Sequence, residues 1–225
     1  MNVPPAVDRR RLLFCAAAVA AIPRTVLAGA QQYEPLADAV RNALAAQIAE
    51  ARPPERKFDD PNQRLAFFGW LGEMSERLKK RIPEFEARLE FLRTLDYECT
   101  RAGLERQLVL SLIQVESNFR KYAISVAGAR GFMQVMPFWT NVIGDGDARR
   151  LFDMRTNLRY GTVILRHYLD IERGDLFMAL GRYNGSRGRR EYPDAVLTAW
   201  KSRWNYAPSP MELPAEPGAP PRRLG

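Results

Sequence analysis

One carboxylate in this chain is spaced so that its surroundings could give it chemistry to do. Glu116 falls three residues after Ile113, four after Leu112 and seven after Val109. On a helix those residues share its side, so the carboxylate lies on a largely apolar flank. A desolvated carboxylic acid has a raised pKa and stays protonated near neutral pH, the property a general acid requires. A plainer reading stands beside it: near the helix end, Glu116 reaches solvent or pairs with Arg120. Other chemistries lack their residues. His167 is the sole histidine, inside an amphipathic segment, and no His/Cys cluster has ligand spacing, so no metal and no cofactor is implied. One histidine without the partners of a Ser/His/Asp set leaves no nucleophilic triad, and no glycine loop is built for phosphate.

The elements that must position this residue read as helices throughout. A helical stretch around Pro35 to Glu50 meets the breaker Arg52-Pro53-Pro54-Glu55. Phe67, Leu71, Met74 and Leu78 then mark one face of an amphipathic helix. Pro83 opens another, with the stripe Phe85, Leu89, Leu92, Leu95 and Cys99. The charges between these stripes, among them Glu76, Arg77, Lys79, Glu86, Arg88 and Glu90, predict a solvated face laced with helical ion pairs. Gly103 ends that helix, and Leu104, Leu108, Leu112, Val115 and Phe119 line the next. Lys121 to Pro137 turns to Gly, Ala, Ser and Met, a loop with room for one helical turn. Further helices are predicted over 157–172, 175–183 and 191–204; no segment alternates like a strand and none repeats.

The 225 residues are 46% hydrophobic and 27% charged, which excludes wholesale disorder, a collagen-like repeat and a polytopic membrane protein. Arg9, Arg10 and Arg11 precede an apolar run from Leu12 to Ile22, and Ala28-Gly29-Ala30 closes the segment. That order predicts a signal peptide over 1–30, of the Sec or the twin-arginine kind, with export to the periplasm or cell envelope and no membrane span in the mature chain. Four arginines and one aspartate would leave with it, taking the net charge from +8 to +5. Cys15 would leave too, so Cys99 would have no partner for a disulfide and reads as a small apolar residue on a helix face. Export also argues against nucleic acid as a partner. After Tyr206 the chain is rich in proline, and a disordered tail is expected over 206–225.

Four blocks carry a family resemblance. They are Glu116-Ser117 after an apolar helix; Gly128-Ala129-Arg130-Gly131-Phe132-Met133-Gln134-Val135-Met136-Pro137; Asn157-Leu158 with Gly161; and Ala179-Leu180 with Tyr183-Asn184. Together, and in this order, they resemble the soluble-lytic-transglycosylase (SLT) family. The resemblance implies an all-α, goose-type lysozyme-like catalytic domain over 95–205, preceded by a helical N-terminal extension over 31–94. It implies cleavage of peptidoglycan glycan strands between N-acetylmuramic acid and N-acetylglucosamine without water, with Glu116 as acid and then base. Ser117, Met133, Gln134, Tyr183 and Asn184 are the substrate-binding residues it implies. Of these, Tyr183 is the one expected to orient Glu116 through its hydroxyl, and Gln134 the one expected to reach the sugar. Asn157 and Gly161 read as scaffold, while Trp139, Tyr168, Tyr192 and Trp200 are aromatics left without a ligand role.

Two departures from the family pattern stand out. Phe132 replaces the usual Leu, and Arg182-Tyr183-Asn184-Gly185-Ser186 stands where Ala-Tyr-Asn-Ala-Gly is common. Two other functions compete. A hydrolytic muramidase would need a second carboxylate to hold water, drawn from Asp145, Asp147 or Asp153, which otherwise read as turn and capping residues. A murein-binding scaffold protein would keep the fold without activity. The helices before residue 95 would narrow the cleft, dock an envelope machine or complete the core. A positive mature chain would be drawn to a polymer whose stem peptides carry carboxylates.

Overall fold

The computed structural model describes residues 31–49, 56–58 and 60–207. The expected signal peptide, the breaker at 52–55 and the tail from 208 onward lie outside the described residues. Within them the chain is all-α, with eight α-helices and no strand beyond two isolated bridges. None of these helices is long and apolar enough to cross a membrane.

Helix α1 (Asp38–Ala49) lies against the later part of the chain, on α5 and α6. Before it, residues 31–37 run without regular structure and are tied down side chain by side chain. Trp139 Nε1 donates to Gln31 Oε1 at 2.9 Å, Tyr33 meets Phe138 edge-on at 5.7 Å, and Arg182 Nη1 reaches both carboxylate oxygens of Glu34. Arg182 also bonds Glu172 at 2.7 Å. The departure from the family pattern at 182 therefore has a local partner.

Helix α2 (Pro61–Leu78) starts where Asp60 accepts from Asn62 N and proline takes the first turn, the position that tolerates it. It packs on α3 (Phe85–Ala102), which stops at Gly103 with φ +62°, a left-handed C-cap that glycine enters without a steric penalty. The solvated face expected here is only partly so. Glu73–Arg77 and Glu76–Lys79 pair along the exposed helix, whereas Arg88 is buried, bonding Ser75 Oγ at 3.0 Å and the carbonyls of Ile82 and Pro83. A long arginine can bury its stem and satisfy its head on carbonyls freed by a helix end, and that clamps the α2–α3 turn. Asp96 is buried too, held by Arg56 and Arg106, with the Arg106 guanidinium 4.2 Å from the Trp70 ring centre.

Helix α4 (Arg106–Ser117) is the central element. Leu108 through Ile113 are all buried, so the helix is enclosed on nearly every side and not along one stripe only. It packs on α3, on α8 (Glu191–Ala199) and on the π-helical turn Trp200–Trp204 that follows α8. Between α4 and α6 (Met154–Ile171) come the short α5 (Phe138–Ile143) and a 3-10 turn (Ala148–Phe152). Helix α7 (Leu176–Asn184) packs on α6 and α8. Trp70, Met74, Leu78, Leu92 and Leu95 belong to the same continuous core as Leu112, Leu165 and Trp204. The helices before residue 95 thus complete that core.

Candidate active site

The last turn of α4 carries Glu116, and an abrupt stop follows. Asn118 and Phe119 both take left-handed φ, +49° and +64°, unusual for consecutive residues with side chains. The reversal drops Phe119 back into the core, against Phe91 at 5.9 Å and Trp204 at 5.3 Å. It also sends the chain into the loop 120–135, which folds over the end of α4.

Three helices fix that loop from beneath. Ser117 Oγ donates to Phe132 O at 2.7 Å, and Tyr183 Oη on α7 donates to Met133 O at 2.8 Å. Asn157 on α6 is buried and fully used: its Oδ1 accepts from Met133 N, and its Nδ2 donates to Arg130 O and Leu151 O, each at 2.8 Å. Two glycines make the approach possible. A Cβ on Gly131 would lie 2.3 Å from Asn157 Nδ2, and one on Gly161 would lie 2.3 Å from Met133 Sδ. Replacing Asn157 by Ala strands the buried Met133 N–H and the Leu151 carbonyl, while Arg130 O keeps its bond from Val135 N, and is expected to destabilise the fold by about 3 kcal/mol. Urea unfolding should show the midpoint falling with an unchanged slope.

Glu116 itself is 5% exposed. Its Oε1 accepts from the buried Tyr192 hydroxyl on α8 at 2.6 Å, while Oε2 is buried without a partner among the described residues. Burial pushes its pKa up to about 8, against the Tyr192 hydrogen bond, which pulls it down. Burial and the nearby Glu116 also raise the Tyr192 phenol well above its ordinary value, so it remains a donor. Arg120 does not pair with Glu116; its Nε donates to Ser117 O. The arrangement is a neutral carboxylic acid with one oxygen anchored and the other free to carry a transferable proton.

The hydroxyl that meets Glu116 is that of Tyr192, and not the one expected from Tyr183. Tyr183 is wholly buried with its hydroxyl committed to Met133 O, whereas the first turn of α8 aims Tyr192 at the acid. Ser117 and Met133 are likewise buried, the hydroxyl spent on Phe132 O and Ile113 O, the thioether packed against Gly161. Gln134, at φ +48°, turns its amide nitrogen onto Ala123 O and Gly131 O, which leaves its amide oxygen for a ligand. Asn184 donates to Ser186 Oγ at 3.0 Å and holds Oδ1 buried and unpartnered. Of the polar side chains among these five residues, only the amide oxygens of Gln134 and Asn184 remain uncommitted. Tyr192 was legible only as one of several aromatics, although its spacing of four and seven from Val196 and Ala199 places it on the buried face of its helix.

The three aspartates that could have held a water are engaged elsewhere. Asp153 caps α6 through Thr156 N and Oγ1, Asp147 caps the 3-10 turn and pairs with Arg149, and Asp145 pairs with Arg150. Cys99 is fully buried, and desolvation drives its thiol pKa well up, which leaves it a packing residue.

Loss of the Tyr192 hydroxyl should raise the Glu116 pKa further, because the bond it removes favours the carboxylate. Tyr192→Phe is accordingly expected to lower kcat about tenfold by releasing the anchored oxygen, and to move the alkaline fall of the pH–rate profile upward.

Residues 95–196 match the family described as Transglycosylase SLT domain. Among curated proteins, the chain is 42% identical over 98 residues to the membrane-bound lytic murein transglycosylase C of Mannheimia succiniciproducens, covering 44% of this chain and 25% of that one. It is 37% identical over 82 residues to the protein of the same name from Actinobacillus pleuropneumoniae, covering 36% and 21%. The Haemophilus influenzae protein of that name is 35% identical over 82 residues, covering 31% and 23%. The matched region thus spans about a quarter or less of the length of these relatives.

Proposed function

We propose, on the premise that residues 95–196 belong to the transglycosylase SLT domain family, that the protein is a peptidoglycan lytic transglycosylase with Glu116 as its single acid and base. The observation that carries the reading is the state of Glu116: Oε1 held by Tyr192, Oε2 buried and free, and a pKa raised to about 8.

The steps balance without water. Glu116 protonates the glycosidic oxygen as its bond to C1 of the muramoyl ring breaks. The resulting carboxylate then takes the proton of the C6 hydroxyl as O6 bonds to C1, leaving a 1,6-anhydromuramoyl end and a restored acid. The nucleophile belongs to the same sugar ring, so proximity replaces the second carboxylate of an ordinary glycosidase. Engagement of Asp145, Asp147 and Asp153 in caps and ion pairs supports this route over hydrolysis. The uncommitted amide oxygens of Gln134 and Asn184 are the groups we assign to the sugar.

The words membrane-bound and murein in the relatives' name support an envelope location, and the proposed substrate leads us to assign the periplasm. Mass spectrometry of products from purified murein tests the reaction. Anhydro-ended muropeptides are expected, whereas reducing ends carrying oxygen from labelled water would establish a muramidase, and undigested murein a scaffold protein.

A further inference from the structure

In the loop that follows the helix of Glu116, a short stretch of strand edge is left unpaired. Ile124 pairs with Arg130 and Arg130 with Val135, both antiparallel. Arg130 and Val135 exchange both backbone bonds, at 2.9 and 3.0 Å. On the other rung the bonds run from Ser125 N to Ala129 O and from Gly131 N to Ala123 O. In that register the N–H and C=O of the residue between, Ile124, turn outward from the pair. Among the described residues neither group meets a partner. The alternate side chains Tyr122, Ile124 and Val126 are 70%, 65% and 98% exposed, and Arg120 and Lys121 beside them are exposed cations. The edge is fastened to the site, since Gln134 Nε2 bonds Ala123 O at 3.1 Å and the segment begins six residues after Glu116.

We propose that residues 122–126 bind the peptide arm of the glycan strand as a short added antiparallel strand, so that this edge selects peptide-bearing murein. The identity of the ligand rests on the lyase reading above. The chemistry matches in three ways. An extended peptide offers a C=O and an N–H to Ile124, its small side chains lie against Ile124 and Val126, and its free carboxylates face Arg120 and Lys121. One outward-facing residue and three apolar side chains suit a segment of a few residues, far short of what a stable protein interface buries.

The purified protein is assayed on glycan chains that carry their peptides and on the same chains after an amidase has removed them. The expected wild-type preference in kcat/KM is about tenfold for the peptide-bearing chains, expressed in KM. Ile124→Pro removes the outward N–H, and Val126→Glu sets a negative charge at an almost fully exposed tip where folding is indifferent to it. Each should bring the ratio between the two substrates close to about one. A wild-type ratio near one, or a ratio that both substitutions leave intact, overturns the proposal. Titration of the tetrapeptide freed from murein into isotope-labelled protein gives a readout without turnover. Amide shifts confined to 122–126 support the edge as the site, and their absence refutes it. Shifts there with neither glycan chain cleaved would keep the peptide site and sink the lyase reading instead. A dimer in light scattering that Val126→Glu dissolves would give the edge to a second copy and overturn the assignment.

Discussion

Glu116→Gln should lower kcat on purified murein by about a thousandfold while leaving KM nearly unchanged. Glutamine fills the same space and still accepts from Tyr192, so binding and fold are retained; what it lacks is the proton that Oε2 must deliver. The wild type should keep its rate through neutral pH and lose it above about 8, where the buried acid ionises. The residual activity of Glu116→Gln should show no such alkaline limb. A mutant that clears murein at the wild-type rate would remove Glu116 from the mechanism.

The same substitution should stabilise the protein, and only in a defined pH window. The Glu116 carboxyl has its folded pKa raised to about 8 from the ordinary 4.5. Below pH 4.5 it is protonated whether the chain is folded or not, and it imposes no penalty. As pH rises from there the unfolded chain ionises while the folded one does not, so the unfolded state binds fewer protons and native stability falls. The loss grows until the folded group itself ionises near 8, to a ceiling of about 5 kcal/mol. Glutamine does not titrate, although its buried amide hydrogens go unpaired and offset about 1–3 kcal/mol of the gain. Melting curves should therefore show Glu116→Gln several degrees more stable than wild type at pH 8, with that advantage gone near pH 4. An advantage independent of pH would mean that Glu116 ionises normally in the folded state. Opposite signs in the two measurements, activity lost and stability gained, distinguish a strained functional acid from a residue kept for packing.

Much of this was legible in the residues, and the exceptions have physical causes. The apolar flank of Glu116 could be read from spacing because α4 is long enough to show its period. Its burial from every side could not, since that depends on α8 and the turn after it closing over α4, with Tyr192 lying 76 residues beyond Glu116. Periodicity says nothing about which helix faces which, and so the hydroxyl expected from Tyr183 came from Tyr192. The short α5 and the 3-10 turn passed unread because five or six residues cannot display a helical period. Phe119 fitted the stripe of α4 by spacing, yet α4 ends at Ser117 and two left-handed residues carry Phe119 into the core by another route. Arg88 read as solvent-facing because charge alone does not reveal three oxygens converging on it.

Helix α3 begins at Phe85 and ends at Ala102, so the border at residue 95, where the family match starts, falls in mid-helix. The stretch that matches the family is therefore not a unit of folding. A fragment beginning at 95 would sever α3 and bare the side chains that Trp70, Met74 and Leu78 now cover. Anyone transplanting this domain into another protein must carry the preceding helices with it. For the same reason, damage to α2 would unfold the support of Glu116 and, on the function proposed above, would read genetically like loss of that residue.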